Sequence, residues 1–389
     1  FGDNSGPEVV IRLQDKPVER RIALDPGLAI AEAFMDGRLN LEQGSLYAFL
    51  ETLIGNAARK TPPGSARMFD WLRYATRWVR QYNPVSRAAR NASHHYDIPP
   101  DIYKLFLDPD WQYSCAYFPH PDLDIAEAQR AKKRHIAAKL RVSPSQEVLD
   151  IGSGWGGLGL SLAKLSDARV TGITLSNEQL RRARDRAKKM GLDNQVRFEL
   201  RDYRKVAQKF DRIVSVGMFE HVGVNHYQEF FDQVYKLLKD DGVALVHSIG
   251  RSDTPGITNP FIEKYIFPGG YIPALSEVIP AIERAGLMVA DVEVLRLHYA
   301  HTLRAWRDAF MARRDEAKRL MGERFCRMWE FYLAGSELAF RYQGLMVFQI
   351  QLIKQVDALP LTRDYMVEDE RRLQAIETGE GQRPRLAGT

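Results

Sequence analysis

Apolar residues along this chain recur in two registers. Five short runs rich in Val, Ile, Leu and Phe are of strand length: EVLDI (147–151), RVTGITL (169–175), VRFELR (196–201), FDRIVSV (210–216) and GVALVHSI (242–249). Between most of them, segments such as LGLSLAKL (158–165) repeat apolar residues three and four apart, the period of a helix. Strands alternating with helices predict an α/β domain whose mostly parallel sheet carries helices on both faces. From 274 to 340 the pattern is mostly helical, apart from MVADVEVLR (288–296), and LMVFQIQLIK (345–354) predicts a final strand. Ahead of all this, EVVIRLQ (8–14) predicts a short strand, followed by helices ending near residue 58. KTPPGS (60–65) reads as a linker, with two prolines and a glycine. After residue 364, charge and glycine predict a disordered tail.

The segment VLDIGSGWGG (148–157) carries the first chemistry. A strand runs into five glycines between 152 and 159, then into a helix. Glycine lets the chain turn sharply with no side chain between backbone and ligand, and the helix N-terminus adds unpaired N–H groups. A nucleotide-like ligand is therefore expected. Gly152, Gly154 and Gly157 satisfy the GxGxxG spacing of a dinucleotide site, a weak signal alone. Such a site also wants an acid about 20 residues on, at the end of the second strand. Here that strand ends in Thr174, Leu175 and Ser176, whereas Asp150 lies inside the first strand, before the glycines. This arrangement resembles motif I of the class I S-adenosylmethionine (SAM) methyltransferases.

Further motifs follow in one order: YSCAYF (113–118), GITLSNEQ (172–179), RDY (201–203), VGMFEHVG (216–223), HSIG (247–250) and NPFIEKYIFPGGYIP (259–273). Together with the glycine turn they closely resemble the cyclopropane-fatty-acid synthase family, which includes the mycolic acid cyclopropane synthases. The resemblance covers about 95–354, and LAIAEAFMDGRL (28–39) is similar to the N-terminal domain of the phospholipid-modifying members. It implies a Rossmann-like catalytic domain over 93–364 with a mostly parallel seven-stranded sheet and a helical insert covering the substrate. Around it are expected a small N-terminal α+β domain over 1–60, a linker and helix over 61–92, and the tail over 365–389.

The resemblance also implies the activity. A SAM methyl would be transferred to the cis double bond of unsaturated phospholipid acyl chains. The resulting cation would lose a proton to a base, closing a cyclopropane ring. The methyl is already electrophilic on its sulfonium, so no enzyme nucleophile is needed. The site must exclude water, tolerate positive charge and hold the base in place. In the family that base is a bound bicarbonate, held without a metal. Carried over by motif, its cage would be Cys115, Glu220, His247, Tyr299 and Ser336. Glu220 beside an anion requires either that one of the two carries a proton or that Glu220 orients His247, and the sequence leaves both open. His221 is expected to hydrogen-bond structurally. The SAM site would comprise Tyr113, Ser114, Asp150, Gly152, Gly154, Thr174, Leu175, Gln179, Asp202 and Tyr203, although Tyr203 could equally be core. Tyr265 and Phe267 would line the acyl channel, from an aromatic set that also includes Tyr117, Phe118 and Phe219.

Two positions depart from the family. FYLAGSELAF (331–340) has Ser336 in place of a cysteine, and HYDIPPDIY (95–103) has Pro100 where asparagine is usual. A serine hydroxyl can still donate to an anion. Glu337, if it pointed inward, would repel one. Departures of this kind leave a same-family enzyme making methylene- or methyl-branched chains as an alternative product class.

Composition narrows the partners. With 389 residues, 45% hydrophobic content and two cysteines, the chain is expected to be a soluble protein of more than one domain without a disulfide framework. With no span or signal peptide in view, a cytoplasmic enzyme is the expectation. The net charge of +5 is concentrated: 67–90 holds Arg67, Arg73, Arg77, Arg80, Arg87 and Arg90 against Asp70, interleaved with Trp71, Tyr74, Trp78 and Tyr82. These are the ingredients of a helix lying peripherally on an anionic membrane surface, or of one docked on the catalytic domain. Basic residues elsewhere are mixed with acids, as in RRARDRAKK (181–189), which argues against nucleic acid. Certain plant small-molecule N-methyltransferases share the fold and several motifs, but the N-terminal domain and the basic helix point to lipid. A homodimer through the N-terminal domain is an expectation from family analogy alone.

Overall fold

The computed structural model describes residues 8–57 and 98–380. The linker and basic–aromatic helix expected over 61–92 lie outside the described residues.

In the N-terminal unit, β1 (Val10–Leu13) pairs antiparallel with β2 (Leu39–Gln43), and α1 (Lys16–Leu24), α2 (Pro26–Met35) and α3 (Leu46–Ala57) complete it. Strand β2 was not expected, because Asn, Glu and Gln are poor strand formers; pairing with β1 overrides propensity. One carboxylate fastens this corner. Asp15 caps α1 by accepting from Val18 N (3.0 Å) and also accepts from the Arg38 guanidinium (2.7 Å), which precedes β2. Helix α2 is apolar on nearly every side, because it is enclosed. Its Phe34 ring lies 6.2 Å from that of Phe331.

The large unit is built on a seven-stranded sheet. Its strands are β3 (Glu147–Ile151), β4 (Arg169–Thr174), β5 (Val196–Leu200), β6 (Phe210–Val216), β7 (Leu238–Arg251), β8 (Met288–Leu295) and β9 (Leu345–Ile353). They lie in the order β5-β4-β3-β6-β7-β9-β8. The first five run parallel, and β9 is antiparallel to both its neighbours. Side chains alternate between faces, so Leu149 and Ile151 enter one core and Val148 the other. The first core is closed by α7 (Tyr227–Leu237) and α8 (Leu275–Arg284). The second is closed by α4 (Ile125–Leu140), α5 (Gly157–Ser166) and α6 (Asn177–Lys189). A third core is aromatic, with Trp306 and Trp329 fully buried within the insert of α9 (His298–Ala312), α10 (Arg314–Met321) and α11 (Glu323–Tyr342). Helices α2 and α3 pack against α11, joining the two units.

The expected tail is corrected as far as residue 380, and residues 381–389 lie outside the described residues. Residues 364–378 form a helix, α12 (Asp364–Thr378), that packs on α4. Met366, Leu373 and Ile376 form a buried apolar stripe, while Glu370 pairs with His135 and Glu377 with Arg134. Composition hid this, since three apolar contacts in a charged segment suffice once the partner surface exists. The Leu373→Ala substitution should therefore cost about 2–3 kcal/mol, read from urea unfolding; an unchanged midpoint would mean that α12 does not contribute to the fold.

Candidate active site

The site gathers where β3, β4, β6 and β7 end. The first of these turns needs glycine: Gly152 has φ +84°, and a Cβ there would lie 2.8 Å from Met218 Cβ. Gly152 N and Ser153 N both donate to Ile173 O (3.0 and 2.9 Å), tying the turn to β4. Beyond it lies a cavity bounded by the glycine turn, the 111–114 loop, the start of α6, the turn after β5 and the turn after β6.

All ten residues expected on the cofactor side line this one cavity: Tyr113, Ser114, Asp150, Gly152, Gly154, Thr174, Leu175, Gln179, Asp202 and Tyr203. Thr174 Oγ1 donates to Gln179 Oε1 (2.7 Å), and the Asp202 carboxylate is held by Arg204 (2.7 and 2.8 Å). Tyr203 both lines the cavity and packs on Phe230, ring centroids 5.3 Å apart, so its two readings coexist. Tyr113 shares a hydrogen bond with Tyr332 (3.0 Å) and stacks on Trp306 at 5.2 Å. His221, expected to be structural, also borders the cavity. Its side chain is half-buried, and desolvation lowers its pKa to about 4.

Lys132, absent from the sequence reading, is the cavity's buried cation. Its ammonium donates to Gln112 Oε1 (2.9 Å) and Ser114 Oγ (2.7 Å), which holds the 111–114 loop in place. Burial pulls this ammonium down to about 8, against the opposing carboxylate of Asp108. Nearby, burial pushes Asp150 up to about 7, and its Oδ2 is buried without a hydrogen-bond partner among the described residues. A signal existed in the sequence. Lys132, His135 and Lys139 sit three and four residues apart on one helix face among alanines, and all three are buried.

The five residues expected around the base lie outside the cavity lining, on five separate segments. Cys115 is buried, with its Sγ on Ala116 O (3.3 Å), and Ala116 N donates to Thr302 Oγ1 on α9 (3.0 Å). Tyr299, one helical turn before Thr302, packs on Phe340 at 4.8 Å. Ser336 is half-buried on α11, between Tyr332 and Phe340 at i−4 and i+4, so it shares the face that meets Tyr113 and Tyr299. Glu337 points elsewhere, into Arg307 (3.0 Å) and Arg341 (2.9 Å). Its repulsion of a bound anion does not arise. Glu220 follows β6, and its Oε1 accepts from Ile249 N on β7 (2.7 Å). Its Oε2 is buried without a partner among the described residues, and burial raises the carboxyl to about 7. His247 lies inside β7, with Nδ1 3.1 Å from Gln349 Nε2.

The two channel residues diverge. Phe267 lies 6.0 Å from the rings of both His221 and Tyr332, beside the cavity wall. Tyr265 instead donates to Glu32 Oε1 on α2 (2.9 Å), a carboxylate also held by Lys264 (2.7 Å), so it fastens the two units together. Phe219 is core, stacked on Tyr227 at 4.5 Å. Pro100 opens a single helical turn over Pro100–Tyr103.

Comparison with known proteins adds four likenesses. The family model for mycolic acid cyclopropane synthetase matches residues 84–350. The cyclopropane-fatty-acyl-phospholipid synthase of Escherichia coli K12 is 35% identical over 354 residues, covering 91% of this chain and 90% of that one. A tuberculostearic acid methyltransferase of Mycobacterium tuberculosis is 36% identical, covering 91% of this chain and 84% of that one. Among solved structures, a mycolic acid cyclopropane synthase complexed with SAH and CTAB superposes with a TM-score of 0.65 at 32% identity, over 70% of this chain and 99% of that one.

The glycines give a differential test. Gly156, at φ +83°, would put a Cβ 2.6 Å from the Phe198 ring, whereas Gly154, at φ +54°, has nothing within 4 Å. Gly156→Ala should lose about 2–4 kcal/mol and Gly154→Ala about 1 kcal/mol, compared by thermal unfolding. Equal losses would contradict this packing.

Proposed function

The chain belongs to the mycolic acid cyclopropane synthetase family and is a SAM-dependent methyltransferase, and on that premise we propose that it cyclopropanates the cis double bonds of unsaturated phospholipid acyl chains. The observation that carries this reading is Glu220: a buried carboxyl near neutrality, one oxygen held by Ile249 N and the other unpartnered, two residues from cavity-lining Met218. Such a group fits a bound oxyanion, because protonated Oε2 donates to it while Oε1 stays anchored. Cys115, His247, Tyr299 and Ser336 are the proposed companions of Glu220 around bicarbonate, which when bound would supply the base.

The chain's own residues then have defined tasks. The glycine turn admits SAM closely, with Asp150 and Lys132 as its buried charges. The 111–114 loop, braced by Lys132, positions Tyr113 and Ser114 at the methionine end. Tyr113, Tyr299, Phe267 and Tyr332 exclude water and present aromatic faces to developing positive charge. Among the described residues no helix is long and apolar enough to cross a membrane, and the basic–aromatic segment 67–90 is proposed to bind an anionic membrane surface. A second reading, favoured by the likeness to a tuberculostearic acid methyltransferase and by Ser336, is methyl transfer ending in a methylene- or methyl-branched chain.

Mass spectrometry of unsaturated phospholipid vesicles incubated with SAM separates the two. Gain of one CH2 with loss of the alkene is expected; a gain of CH2 with an alkene retained assigns methylene branching, and a gain of CH4 that appears only when a hydride donor is added assigns methyl branching. No gain despite SAM binding would refute lipid methylation. The pH profile tests Glu220. Burial raises its pKa, so it is protonated below about 7 and loses that proton above. The kcat/KM is therefore expected to fall about tenfold for each pH unit above that value. Glu220→Gln, which keeps a donor at every pH, should lose this limb; an unchanged limb would assign it to another group.

A further inference from the structure

The face of α4 bearing Lys132, His135 and Lys139 does more than hold the 111–114 loop. Lys139 Nζ donates to Gln349 Oε1 (2.8 Å) and pairs with Glu293 of β8. Glu293 also meets His135 Nε2 (2.7 Å), and His135 Nδ1 meets Glu370 of α12. Gln349 is fully buried on β9, directly opposite His247 in the β7–β9 ladder, so the two side chains share one face of the sheet.

Donor and acceptor rules then settle the proton. An ammonium has no acceptor, so the Gln349 oxygen must face Lys139. The reversed amide would oppose donors inside a dry core and leave the lysine short of a partner. With the oxygen committed, the amide N–H is what faces His247, and Nδ1 must accept it. A neutral ring accepting at Nδ1 carries its proton on Nε2. Burial and the nearby Lys132, Lys139 and His135 cations favour that neutral ring, holding its pKa well below the usual histidine range.

We propose that Gln349, aimed by Lys139, is a positioning residue that locks His247 as the Nε2–H tautomer and thereby makes it a hydrogen-bond donor. This rests on the reading that His247 helps hold the oxyanion base, to which a donor is the useful form. The chain Glu370–His135–Glu293–Lys139 anchors the lysine, so the C-terminal helix contributes to the aim.

The test is 15N NMR of protein labelled at histidine, with the His247 signals assigned by their loss in His247→Asn. The native enzyme should show an unprotonated Nδ1 and a protonated Nε2. Gln349→Glu, an ionised acceptor-only isostere, should exchange these two signatures and lower kcat by about 10–100-fold, with SAM affinity by calorimetry within about twofold. A proton on Nδ1 in the native enzyme overturns the proposal, and this result needs no variant to fold. So does a tautomer unmoved in Gln349→Glu. If the tautomer exchanges and kcat does not fall, the lock stands and the role of His247 in holding the base is what fails. Lys139→Met, which frees the amide to turn, should give a mixture of both tautomers; a pure Nε2–H ring in that variant would remove Lys139 from the mechanism.

Discussion

Five strands in parallel register are the constraint on which the rest depends. Because β4, β3, β6 and β7 pair in one direction, with Ile151 beside Ile173 and Ser215, and Val216 beside His247, their C-terminal ends fall on a single edge. A parallel ladder satisfies backbone groups along its length and releases them only at its ends. Ligands of open α/β sheets bind at that edge for this reason. The glycine turn, Thr174, Met218 and Glu220 are neighbours because of where strands stop. Insertion of antiparallel β9 between β7 and β8 then brings Gln349 across from His247.

The second organising principle is the cost of burying charge. Lys132, His135 and Lys139 sit inside a helix–sheet interface where an unpaired ion would cost several kcal/mol. Each is therefore hydrogen-bonded, and the partners come from elements distant in sequence: the 111–114 loop, β8, β9 and α12. Charges that packing alone would disfavour thus join the site, the sheet edge and the C-terminal helix. The same device fastens the N-terminal unit, where Glu32 takes Lys264, Tyr265 and Arg21 at once.

Protonation follows from the same burial. Asp150 and Glu220 are pushed up to about 7, and His221 is pulled down to about 4, in each case chiefly because a charge there is poorly solvated. Near neutral pH the site can therefore present a protonated carboxyl beside neutral imidazoles. That is a suitable lining for the proposed oxyanion base, and it would keep net charge low for the proposed approach of an alkene to the SAM sulfonium.

Features with a local cause were legible in the residue order. Glycine spacing after a short strand specified a close-approach turn, alternating periods specified the β/α succession, and the ordered motifs picked out ten positions that the fold places around one cavity. Tertiary structure decided whatever depended on a partner. Strand β2 exists because β1 is there to pair with it, and α12 is ordered because α4 offers a surface to three apolar side chains. Glu337 is harmless to the site because Arg307 and Arg341 claim it. The spacing of Lys132 and Lys139 shows only that they share a helix face; what each holds is set when its acceptors arrive, in the case of Gln349 from 210 residues away. Backbone preference is a property of a few neighbouring residues and is written in their order. The protonation and aim of a buried group are set by whichever distant atoms fold against it, and no local pattern encodes them.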